Sequence, residues 1–292
     1  MQLRLLNVAV DGGDMRVLLW GTGKRVAVAV HGITASGMSW QAVARHMPPD
    51  WTLAAPDLRG RGHSRDLPGP FGLDTHARDV VAVLRHFGGS RVRPVLAGHS
   101  MGAQVALLAR DAHPELVRRL VLVDGGLPLP VPDGTDLDAV LDATLGPAIA
   151  RLGQSFPSTE AYLDFWRAHP ALAAHWNPDV EAYARYDLIG EPGQLRPRAV
   201  EDAVRADGRD VLAEKPFADA LERLTRPTPL LTAPAGMFGA PPPLIPHEAV
   251  QTWQERVPAL RPQTIPETNH YTILFDREGA AAVSQAIRAA AL

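Results

Sequence analysis

Gly98-His-Ser-Met-Gly102 sets a serine between two glycines, at the end of the apolar run Val92 to Ala97 and ahead of a helical stretch from Met101 to Ala112. A nucleophile on so tight a strand-to-helix turn needs small residues on both sides, so that strand and helix can pass close together. The pattern G-x-S-x-G in this context points to acyl transfer with Ser100 attacking; the alternative is a glycine-flanked strand end with a buried serine. A serine hydroxyl is a weak nucleophile near neutral pH and needs a base. Of the eleven histidines, His270 in Thr268-Asn-His-Tyr-Thr272 is the candidate by position, because it follows the last strand-like run and precedes the last helical one. His46 and His113 lie at helix ends, and His169 and His175 lie in a purely helical region. His31-Gly32-Ile33 follows another strand-like run, Val26 to Val30. The backbone amides of Ile33 and Met101 would then face the oxygen that turns negative during acyl transfer, where one donor is worth about 3 kcal/mol of barrier. His31 itself reads as a brace for that loop.

These groups meet only if the strands that carry them end on one rim. Arg25 to Val30, Trp51 to Ala55, Val92 to Ala97, Leu120 to Val123, Pro229 to Thr232 and Arg261 to Ile265 read as strands, from β-branched residues flanked by turn residues. Ser39 to His46, Thr75 to Phe87, Met101 to Ala112, Pro246 to Arg256 and Arg277 to Ala291 read as helices between them. Such alternation predicts an α/β fold with a mostly parallel central sheet and helices on both faces, in which loops at the C-terminal strand ends share one rim. Leu3 to Val10 and Met15 to Trp20, separated by Asp11-Gly-Gly, predict a hairpin added at one edge.

Residues 127–226 break the alternation. A proline-rich opening (Pro128, Pro130, Pro132) leads into helical patterns, and the rings concentrate here: Tyr162, Phe165, Trp166, Trp176, Tyr183 and Tyr186. The segment predicts a helical insertion covering one end of the sheet. Its rings either fill the packing or line a pocket; Trp166 and Trp176 are the first candidates for a substrate wall, with Met237 and Phe238 from the loop after the fifth run.

Composition narrows the partners. The 29 basic and 32 acidic residues give a net charge of −3, so no charge excess predicts binding to nucleic acid or an anionic membrane. The absence of cysteine removes disulfides, thiolate metal sites and a cysteine nucleophile. Gly21-Thr-Gly-Lys24 lacks the spacing of a phosphate loop, and His247-Glu248 is too little for a metal site. No run is long enough to cross a bilayer and no leader pattern is visible, so a cytoplasmic protein acting on a small molecule without a cofactor is expected. The oligomeric state is left open.

His31-Gly32, Asp57-Leu-Arg-Gly-Arg-Gly-His-Ser64, Gly98-His-Ser-Met-Gly102 and Asn269-His270 together make the sequence resemble the α/β-hydrolase fold superfamily. The resemblance divides the chain into a core of residues 1–126 and 227–292 and a helical cap of residues 127–226. It implies hydrolysis of esters, amides, lactones or thioesters, or of a C–C bond beside a ketone; Asp57 and its loop would support the site wall without reacting. The common family position for the third member of the triad, after the penultimate strand, holds no carboxylate here before Glu248. Asp124, at the end of Leu120 to Val123, is the substitute that the resemblance implies; otherwise it holds the Gly125-Gly126 turn. The expectation is a serine hydrolase acting on a small to medium carboxylic ester, lactone or thioester. C–C bond cleavage and a non-turnover small-molecule receptor are the alternatives, and multiple turnover separates the last from the others.

Overall fold

The computed structural model describes residues 2–88, 92–128, 131, 134–213 and 215–291, with the side chains of 215 and 216 excepted; Pro130 and Pro132 lie outside them. Eight strands form one sheet. They are β1 (Leu3–Val10), β2 (Gly13–Trp20), β3 (Arg25–Val30), β4 (Trp51–Pro56), β5 (Val95–His99), β6 (Arg119–Val123), and, after the insertion, β9 (Thr228–Thr232) and β10 (Leu260–Thr264). Their order is β1-β2-β4-β3-β5-β6-β9-β10. β1 and β2 form the expected hairpin and β2 meets β4 antiparallel; every later pairing is parallel. The inner strands carry continuous apolar runs such as Arg25-Val-Ala-Val-Ala-Val30 because helices cover both faces.

One face packs against α2 (Leu73–Phe87) and α3 (Met101–Ala112), whose buried positions, such as Leu73, Ala77, Val80, Val81 and Leu84, recur at helical spacing. The other face packs against α1 (Gln41–Arg45), and near the C-terminus against α10 (Thr272–Phe275) and α11 (Arg277–Ala289). The inserted segment folds as α4 (Leu137–Leu152), α5 (Thr159–Arg167), α6 (Pro178–Tyr186), the two-residue strands β7 (Leu188–Ile189) and β8 (Arg196–Pro197), and α7 (Glu201–Leu212). Asn177 caps α6 as its sequence promises, its side chain accepting from the amides of Asp179 and Val180.

The next helix, α8 (Lys215–Glu222), packs against α3: Phe217, Ala220 and Leu221 are buried in the same apolar cluster as Val105, Leu107 and Ala109. α9 (His247–Arg256) joins that cluster. No helix among the described residues is long and apolar enough to cross a membrane.

Candidate active site

Strand register sets the site. Val30 lies opposite Gly98, His99 opposite Val123, and Val123 opposite Leu231. The residues leaving these strands, His31, Ser100, Asp124 and Ala233, are thus brought to one rim. Ser100 N–H donates to Val123 O (3.0 Å) and Asp124 N–H to Leu231 O (2.7 Å). Both residues turn there with positive φ, 55° at Ser100 and 42° at Asp124. Non-glycine residues hold that conformation only when their surroundings impose it. At Ser100 the imposition is visible: a Cβ on Gly98 would lie 2.1 Å from Gly102 O, so the strand and the helix touch through their glycines.

Asp124 is fully buried and divides its oxygens between two tasks. Oδ1 accepts from Ala233 N (3.0 Å), and Oδ2 accepts from His270 Nδ1 (2.7 Å). An ionised carboxylate only accepts, so the His270 proton sits on Nδ1 and Nε2 is left as a base. His270 rides on a tight turn built by its neighbours. Asn269 Oδ1 accepts from Tyr271 N and Thr272 N, while Thr272 Oγ1 accepts from Asn269 N. Asn269 Nδ2 donates to Ala171 O and so ties the turn to the insertion. Among the described residues no hydrogen bond joins the Ser100 hydroxyl to His270; such contacts commonly tighten only when substrate is bound.

His99, inside the serine turn, donates from Nε2 to His270 O (2.8 Å), and its ring lies 4.7 Å from the His270 ring. Burial pushes its pKa well below the ordinary imidazole value, so it stays neutral beside the base.

The loop after β3 presents its amides from the other side. A Cβ on Gly32 would start 3.1 Å from Ser100 Cβ, closer than most such contacts, so glycine lets this backbone lie against Ser100 without pushing it aside. His31 Nδ1–H donates to Gly32 O (2.7 Å), and its Nε2 accepts from Leu58 N (3.0 Å), which fixes the tautomer. Gly32 C=O and Ile33 N–H share one peptide, so His31 orients the plane that carries the Ile33 donor. Burial lowers the His31 pKa to about 3, so the brace stays uncharged. Neither Ile33 N–H nor Met101 N–H meets an acceptor among the described residues, which leaves both available.

Behind this loop sits a buried charge cluster. Arg61 donates from Nε to Ile33 O (2.9 Å) and pairs with Asp207 of α7. Asp207 also accepts from His76 Nε2 (2.8 Å) and Gly72 N (2.7 Å). Burial raises the Asp207 pKa, but Arg61 and His76 outweigh it and hold the carboxyl below its usual range. Asp57 holds its own loop, as expected, and more: it accepts from His63 N, from Gly37 N, and from Tyr186 Oη of the insertion. Burial raises its pKa to about 6 despite those donors.

Ser100, His99, His270, Gly32, Ile33 and Met101 line one cavity of about 330 Å³. Among the described residues no aspartate, glutamate, lysine or arginine lines it. Its roof is aliphatic: Val140, Leu141 and Leu145 of α4, and Val211 and Leu212 of α7. Of the four residues expected in the substrate wall, only Met237 lines this cavity. Trp166 is packed among Tyr162, Phe165 and Tyr183 and faces a small side pocket instead. Phe238 is 52% exposed and lines that side pocket too. Trp176 lines neither; the Arg167 guanidinium lies over its ring. Of the insertion's rings, Tyr183 lines the Ser100 cavity, while Phe165 and Trp166 line the side pocket. The α4 and α7 residues were missed because aliphatic positions on two distant helices carry no signal of facing one cavity. His99 was noticed as part of the motif, but its contact with the His270 turn depends on tertiary structure.

Residues 28–176 match the α/β hydrolase fold family. The lipase LipV of Mycobacterium tuberculosis is 35% identical over 133 residues, which is 45% of this chain and 48% of that protein; the chain thus matches about half of that relative. The 2-(acetamidomethylene)succinate hydrolase of Mesorhizobium japonicum is 26% identical over 242 residues, covering 82% of this chain and 80% of that protein. A crystal structure of E-2-(acetamidomethylene)succinate hydrolase superposes with a TM-score of 0.79 at 22% identity, covering 98% of this chain and 100% of the other.

Proposed function

The chain belongs to the α/β-hydrolase fold family, and from that premise we propose that it is a serine hydrolase cleaving a small to medium carboxylic ester, lactone or thioester through an acyl-enzyme on Ser100. The observation that carries this reading is the buried Asp124–His270 pair at 2.7 Å, which leaves Nε2 as a base in the same cavity as a serine held at φ 55°. Ser100 Oγ attacks the carbonyl carbon and His270 Nε2 takes its proton. Asp124 holds the imidazole in the required tautomer and balances the imidazolium. The amides of Ile33 and Met101 donate to the oxyanion. His270 passes its proton to the leaving group, and a water activated by the same nitrogen releases the acid. The uncharged aliphatic roof suits an apolar portion of the substrate. The hydrolase names of the relatives favour bond cleavage by water over mere binding.

Intact-protein mass after treatment with a fluorophosphonate tests this directly. One adduct on the native protein and none on Ser100→Ala is expected. A folded native protein that resists both the fluorophosphonate and a smaller sulfonyl fluoride would sink the reading.

A further inference from the structure

The side pocket holds a donor that the acyl-transfer reading does not use. Arg151 of α4 is 2% exposed. Its Nη1 donates to Asp187 Oδ2 (2.6 Å) and to Tyr162 Oη, while its Nη2 is buried with no partner. The guanidinium lies over the Trp166 ring, 4.9 Å from its centre, and the Trp166 N–H is turned toward the Tyr162 hydroxyl. Both residues line a pocket of about 50 Å³. Asp187 takes only the Nη1 edge, and it shares its charge with Tyr162 Oη, which donates to it. Buried donors without partners are rare in folded proteins, and a charged one is the most costly to leave so.

The pocket adjoins the Ser100 cavity, with Thr34, Thr144, Met237 and Tyr271 in the wall of both. Thr34 follows the oxyanion donor Ile33, and Tyr271 follows His270. The wall shared by the two spaces is therefore next in sequence to both. Among the described residues no Asp, Glu, Lys or Arg lines the main cavity, whereas Arg151 lines the side pocket with Trp166. His169, the other ionisable ring there, has its pKa lowered by burial and by Arg151, so it brings no competing charge near neutral pH.

We propose that this side pocket is a carboxylate subsite, and that the substrate is an acyl compound with a free carboxylate a short spacer from the scissile carbonyl. The volume fits a group of that size, the unpartnered Nη2 of Arg151 supplies a donor for it, and guanidinium–carboxylate contacts combine charge with direction. The proposal rests on the acyl-transfer reading for its chemistry but not for its binding.

The test compares the monomethyl esters of succinate, glutarate and adipate with the corresponding dimethyl esters. At one spacer length the monoester should exceed its dimethyl ester in kcat/KM by about tenfold or more, mainly through KM. Arg151→Lys keeps a cation beside Asp187 but removes the second edge, and should cut that ratio to near one. Calorimetric binding of the same pairs to Ser100→Ala needs no turnover and should show the same preference. Arg151-dependent monoester binding without hydrolysis by the native protein would leave the subsite standing and remove the acyl-transfer reading. Hydrolysis or binding with no preference for the monoester at any spacer, or a preference that survives Arg151→Lys, would overturn the subsite.

Discussion

The rim of the sheet and the helices that roof it face each other across one cavity, yet they are held by different forces. The rim is a backbone construction. Strand register brings Ser100, Asp124 and His31 level, and main-chain hydrogen bonds fix each turn. Its side chains mostly bond to backbone: His31 to Gly32 and Leu58, Asp124 to Ala233, Asn269 to Tyr271 and Thr272. The roof is a side-chain construction of apolar contacts and buried pairs such as Arg151–Asp187. Where the two meet, the tie is again ionic, with Asp207 of α7 clasping Arg61 behind the Ile33 carbonyl. Backbone positions tolerate little change, which suits the rim to the chemistry proposed for it. Side-chain packing can be altered one residue at a time, which suits the roof to selectivity under the same proposal.

The largest expected effect tests the rim. Asp124→Asn keeps an oxygen for Ala233 N but turns a donor toward His270 Nδ1, so the strand end survives while the tautomer is lost. With a simple acyl ester, kcat should fall by about 10⁴-fold with the fold retained. A loss smaller than tenfold would make Asp124 a structural clasp and the rim less specialised than its geometry suggests.

Rim residues were legible in the sequence for the same reason that they are rigid. Ser100, His31 and His270 each stand at a position defined by a strand end, and strand ends follow from hydrophobic runs and glycines. Asp124 was legible only through its place after β6, because nothing local distinguishes it from any aspartate closing a strand. The roof was not legible in detail. Val140, Leu141, Val211 and Leu212 converge through the packing of α4 on α7, which depends on tertiary contacts between distant segments. Likewise, Phe217 and Leu221 of α8 show an ordinary amphipathic pattern, and only the apolar surface of α3 shows what they pack against.

A smaller effect concerns what burial does to the rim when pH changes. His31 has a folded pKa of about 3 against an ordinary 6.5, and that of His99 is also well below 6.5. The unfolded chain takes up these two protons below about pH 6.5 and the folded chain resists them, so their stabilisation is full above that pH and is lost as pH falls. Asp57 works the other way: its folded pKa of about 6 against 3.8 means that the folded chain binds a proton first, which favours it as pH falls through that window. His63 and His169, also lowered by burial, add to the histidine side, so against the one opposing carboxyl stability should fall as pH drops from about 6.5 toward 4. Chemical denaturation from pH 7 to 4 measures the slope. A flat profile would show that the neutral histidines are not a cost of the rim.

The smallest effect tests the roof, at Trp176. This residue is half-buried, lines neither the Ser100 cavity nor the side pocket, and lies under the Arg167 guanidinium. If selectivity resides in the cavity lining, Trp176→Ala removes a surface cation–π contact worth about 0.5–1 kcal/mol and nothing that substrate touches. Rates with an acetyl ester and with a bulky aryl ester should then change together, by less than about twofold. Leu141→Ala, in the cavity roof, is the control that should separate the two substrates. A Trp176 effect confined to the bulky ester would mean that the roof rearranges around substrate and that the indole joins the cavity only then.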